Sequence, residues 1–128
     1  MNNVKTNSPS FGMAVYGPTT KKVARVLGRE AAEEFEKARP ALEKIAKDID
    51  IYIKPDKSWF EGDEPACNGF MMLAGKFKSK LDARLQLAKR FILPYKPNDG
   101  YAWVNLRDMS EVSGNLIKSA EKIKLEVK

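Results

Sequence analysis

The sequence predicts an α+β fold: a long N-terminal helix, kinked near Pro40, and a C-terminal helix, both packed on one face of a small antiparallel sheet. Three observations point there. Two segments, Thr20 to Ile49 and Met109 to Val127, repeat apolar residues in steps of three or four, so each forms a helix with one greasy stripe. Between them, Asp50–Lys54, Gly69–Phe77 and Tyr101–Leu106 are short runs rich in β-branched, aromatic or apolar residues and flanked by Gly or Pro. Finally, 128 residues suffice for one domain that buries about two-thirds of its unfolded surface. Two stripes packed on one face of a sheet satisfy all three.

Residues 1–18 read as an N-terminal tail, partly disordered, and 19–128 as a single domain. Within the tail, Met1–Ser10 is polar, and Phe11–Tyr16 is an apolar patch that reads either as a first strand or as a segment packed on the helix. Thr19 or Thr20 caps the helix that follows. Its stripe is Val23, Leu27, Ala31, Phe35, Ala38, Leu42, Ile45 and Ile49, separated by charged residues that belong in water. Gly28 weakens this helix by about 1 kcal/mol relative to alanine. Pro40 is the stronger breaker, at about 3 kcal/mol. Because the stripe keeps its phase across it, the expectation is one helix kinked near 36–40 and ending near Asp48, the alternative being two helices at an angle.

Asp50–Lys54 alternates as a strand, closed by Pro55-Asp56. Lys57 to Asn68 reads as a loop in which Trp59-Phe60 anchors on the core. Gly69–Gly75 is a second strand, with Phe77 continuing it. Residues 79–93 fit two periods at once. Leu81, Ala83, Leu85 and Leu87 alternate with polar residues, whereas Leu81, Leu85, Ala88 and Ile92 fall at helical spacing. The reading preferred is a third strand, which gives Gly69–Phe77 an antiparallel partner. Pro94, Pro97, Asn98 and Gly100 make a loop, and Tyr101–Leu106 a short strand. The last helix starts at Asp108, paired with Glu111 in the manner of a capping box. Its stripe is Met109, Val112, Leu116, Ala120, Ile123 and Val127, and Lys122, Lys124 and Lys128 suit its negative end.

Chemistry is sparse. The chain has no histidine and one cysteine, Cys67. The usual general base, the usual partner of a nucleophile and a four-ligand zinc site are therefore all missing. No phosphate-binding glycine loop and no RNA-binding signature occurs. Asp56, Glu61, Asp63 and Glu64 are clustered carboxylates without EF-hand spacing. Accordingly no residue is assigned a catalytic, cofactor-binding or metal-binding role.

Net charge is +6 and the sequence pI about 9.4. Residues 49–75 carry −3 while 76–107 carry +6, so the excess is concentrated in Lys76, Lys78, Lys80, Arg84, Lys89, Arg90, Lys96 and Arg107. These eight are the candidate patch for an anion or nucleic acid, with Tyr101 and Trp103 near Arg107 as stacking groups. The chain carries no apolar run long enough to span a membrane and no secretory signal, so cytoplasm is the default. The expected role is a small non-catalytic interaction domain whose partner is another protein. The alternatives are a weak nucleic-acid binder using 76–107, and a carboxylate-dependent enzyme or cation site on 56–64.

Overall fold

Gly28, not Pro40, divides the first apolar stripe. The computed structural model describes residues 15–57, 68–92 and 100–127. Helix α1 (Thr20–Leu27) is capped by Thr19, whose Oγ1 accepts from the Lys22 N–H at 3.1 Å. It stops at Gly28, held at φ 102° and ψ 167°, a backbone conformation that costs glycine nothing and an L side chain dearly. Helix α2 (Arg29–Ile45) then runs unbroken through Pro40. Pro40 is exposed, so the Glu36 carbonyl it leaves without an intrahelical partner is on the watered side. Arg39 stacks over the Phe35 ring at 4.8 Å and pairs with Glu36 at 2.6 Å, bracing the same turn. Both halves of the stripe still meet one core: Val23, Ala31, Phe35, Ala38 and Leu42 are fully buried.

The sheet is mixed rather than wholly antiparallel. Its order is β1 (Val15–Tyr16), β2 (Asp50–Lys57), β3 (Asn68–Gly75), β4 (Tyr101–Asn105). The β2–β3 and β3–β4 pairs are antiparallel, but β1 pairs parallel with β2, Val15 opposite Ile51. Parallel neighbours need a crossover, and α1 with α2 is that crossover. β2 also passes through Pro55 instead of closing there. β1 pairs with β2 only as far as Tyr52, so at Pro55 the missing N–H is tolerated on a side that needs no donor.

Residues 80–92 form a helix, α3 (Lys80–Ile92), which corrects the strand reading of 79–93. Ser79 caps it: Ser79 Oγ accepts from the Asp82 N–H at 3.1 Å, and Asp82 Oδ2 accepts from the Lys78 N–H at 2.9 Å. These local bonds satisfy N–H groups that a strand would have to pair elsewhere. α3 packs on the face of the sheet opposite the other helices, through Ala83 and Leu87 against Tyr52, Leu73 and Phe77. Buried Asp50 fixes this corner, accepting from the Phe77 N–H at 2.9 Å.

The other face carries Ile51, Ile53, Phe70, Met72, Ala74 and Val104 beneath α1, α2 and α4 (Val112–Val127). Phe35 stacks on Phe70 with centroids 5.7 Å apart. α4 is entered through a 3₁₀ turn, Met109–Glu111, which Asp108 caps by accepting from the Ser110 N–H. Its predicted stripe is the buried one: Val112, Leu116, Ala120 and Ile123. The result is three layers, with helices on both faces of a four-stranded sheet. The expectations for Phe11–Ala14, Trp59-Phe60, Glu61, Asp63, Glu64, Cys67 and Lys96 fall on residues outside those described.

Candidate functional site

Across the α3 face, the strand register lays side chains in rows. Tyr16, Tyr52, Leu73 and Tyr101 make one row, and Lys54, Met71 and Trp103 the next. α3 covers the first row by seating Ala83 and Leu87 on it. Between α3 and the second row a cavity of about 260 Å³ opens to solvent. The sheet contributes Tyr52, Lys54 and Met71 to its walls, and α3 contributes Arg84, Leu87 and Ala88, with Leu81 and Leu85 also lining it.

Leu81 and Leu85 belong to the helical set that the sequence reading recognised, but they face outward. Leu81 is 61% exposed and Leu85 53%, whereas Ala83 and Leu87 are buried. α3 therefore has apolar residues on two sides, one filling the core and one facing water. Tyr52 is buried, and that burial pushes its phenol pKa up, with the nearby Arg84 charge pulling slightly the other way. At neutral pH it is a protonated hydroxyl. The polar equipment of the cavity is thus one hydroxyl, one ammonium and one guanidinium on an apolar floor. Among the described residues its walls carry no carboxylate, thiol or imidazole, and those present can hold an anionic or apolar group.

The structure separates the eight basic residues. Lys76 and Lys78 are exposed in the connection between β3 and α3, and Lys80 and Arg84 follow one turn apart on one side of α3. Lys89 lies about 140° further round from Arg84. Arg90 is half-buried near Gly100. Arg107 follows β4 at the Gly69–Asn105 end of the sheet, whereas Lys76 follows Gly75 at the other end. Eight strand residues span about 25 Å, too far for the two to share a ligand contact. Of the clustered carboxylates, Asp56 sits within β2. Among the described residues no group of three His, Cys, Asp or Glu converges, and no helix is long and apolar enough to cross a membrane.

A second hollow, shallow and about 520 Å³, lies along the α1–α2 seam. Lys21, Arg29 and Lys37 there are largely offset by Glu33 and Glu36, so it has little net charge. The α3 cleft was not legible as a site, because seeing it requires knowing that 80–92 is a helix. The available signal was Ser79-x-x-Asp82, the same capping pattern that marked Asp108. Compared with known proteins, the chain matches no family model, no curated protein and no solved structure.

Proposed function

We propose that the protein is a non-catalytic interaction module that receives a segment of another protein on its α3 side. The observation that carries this reading is the exposed pair Leu81 and Leu85, one helical turn apart at the mouth of an apolar cleft. Single exposed leucines are ordinary on a protein surface, but contiguous apolar surface beside a cavity is where partners dock. Among the described residues the cleft walls hold apolar side chains and cations, which suits binding.

The test is site-directed photocrosslinking in cells of the source organism, with a benzophenone amino acid placed in turn at positions 81, 85 and 125. Leu125, exposed on α4, is the control. The module reading expects one discrete adduct with another protein from 81 and 85 and none from 125. Adducts with a second copy of this chain, or none above the control, would refute it.

A nucleic-acid reading has one observation in its favour: Lys76, Lys78, Lys80 and Arg84 cluster within nine residues at the start of α3. Oligonucleotide titration at two salt concentrations decides it, since an electrostatic footprint loses affinity steeply as salt rises.

A further inference from the structure

From the cleft we infer what kind of segment it takes: an acidic peptide with one bulky apolar anchor, the anchor entering the cavity and flanking carboxylates meeting Lys54 and Arg84. This rests on the module reading above and names its ligand class. Size is the first argument. About 260 Å³ falls below the roughly 300–1,000 Å³ of small-molecule sites, and suits a single large side chain.

Charge is the second. Among the described residues, the two ionisable groups in the cavity walls other than Tyr52 are both cations, and they come from different elements, Lys54 from β2 and Arg84 from α3. Lys80, one turn before Arg84, extends the positive rim along α3. The carboxylate of α3, Asp82, is engaged elsewhere, accepting from the Lys78 N–H at 2.9 Å and from Gln86 Nε2 at 3.2 Å. Cations on both sides of an apolar floor complement an Asp/Glu–apolar–Asp/Glu pattern, and Arg84 offers a carboxylate its planar fork.

A nucleic-acid strand complements the surface less well. Its phosphates would meet the cations, but among the described residues the one aromatic ring in the cavity wall, Tyr52, is 3% exposed and gives a base no face to stack on. Leu81, Leu85 and Met71 would then lie against sugar and phosphate.

The experiment pans a phage-displayed library of random dodecapeptides against the full chain. Selected peptides are then measured by fluorescence anisotropy at low and high salt. The acidic-anchor inference expects enrichment of sequences with one Leu, Ile, Met or aromatic residue flanked by Asp or Glu, and binding that weakens as salt rises. Arg84→Glu and Lys54→Glu each weaken binding about tenfold or more, while Leu125→Glu changes it less than about twofold. Replacing the peptide's acidic residues by lysine restores binding to the double variant K54E/R84E. Thermal melts showing both variants folded make these losses interpretable.

Selection of neutral or basic peptides, or acidic peptides indifferent to R84E and K54E, overturns the inference. So does an empty selection, or an oligonucleotide that binds more tightly and loses affinity in R84E. Neutral peptides that bind through Leu81 and Leu85 would sink the acidic-anchor inference and leave the module reading standing. A negative crosslinking result at positions 81 and 85 sinks the module itself.

Discussion

Glu34 serves two helices with one carboxylate. Oε1 accepts from the Ser113 N–H at 3.1 Å, in the first turn of α4, where backbone N–H groups have no intrahelical partner. Oε2 takes the Lys37 ammonium at 2.8 Å. The hydrogen bond from Lys37, then that from the Ser113 N–H, holds the Glu34 pKa below its ordinary value of 4.5. A lowered folded pKa means that the stabilisation is complete above the unfolded value and is lost as pH falls through the folded one. Glu34→Ala should therefore destabilise by about 1 kcal/mol at neutral pH, as loss of a helix cap does. That difference should shrink as pH falls below the ordinary value of 4.5 and through the lowered folded one, read as converging urea midpoints of native and variant. Gly28 makes a second prediction, one of sign. As an ordinary helical glycine it would be improved by alanine, by about 1 kcal/mol. At φ 102°, with no atom within 4 Å of an added Cβ, the effect of alanine is purely conformational strain. Gly28→Ala should thus destabilise by about 1–2 kcal/mol, and a rise in melting temperature would contradict the break between α1 and α2.

At the scale of elements, what the sequence made legible were the long stripes and the short bounded strands. The stripe from Val23 to Leu42, half-buried Leu27 apart, and that from Val112 to Ile123 are buried where their spacing says, because three or four repeats leave a helix only one way to face the core. Tyr101–Asn105 stands within a residue of its predicted bounds, and Asn68–Gly75 starts one residue early and ends two short of the predicted Phe77. Strand direction was not legible in β1, since its two described residues carry no orientation signal. α3 was misread for a physical reason. Leucine or alanine at 81, 83, 85, 87 and 88 satisfies both periods, and only the Ser79–Asp82 cap decides between them. The candidate site went unseen with it, because Leu81 and Leu85 share a cleft with Lys54 and Met71 only if residues 80–92 are helical. The two readings differ in a measurement. In a strand, residues 85 and 87 face the same side, and trimming either would cost the same. In α3, Leu87 is buried and Leu85 is not. Leu87→Ala should cost about 2–4 kcal/mol and Leu85→Ala less than about 0.5 kcal/mol, both from urea denaturation.

For the molecule as a whole, what matters is that helices roof both faces of the sheet. A two-layer arrangement would leave the row Tyr16, Tyr52, Leu73, Tyr101 wet, and its tyrosines would ionise at their ordinary value of 10.0. In the three-layer arrangement all three phenols are pushed up. Burial is the largest cause in each, reinforced by Asp50 and Asp82 at Tyr16 and by Asp56 at Tyr101, and partly opposed by Arg84 at Tyr52 and Arg90 at Tyr101. A raised folded pKa means stability that is whole below pH 10 and drains away as pH climbs through the folded values, because the unfolded chain gives up its phenol protons first. The chain has four tyrosines. An alkaline titration followed by tyrosinate absorbance should therefore find at least three ionising above the ordinary value. They should ionise together with the loss of helical circular dichroism, not before it. Arg84→Glu removes a cation that favours ionised Tyr52, so it pushes the Tyr52 pKa of the folded chain further up. Three phenols titrating near pH 10 with the helical signal intact would mean that α3 does not cover the sheet, and the cleft between them would go with it.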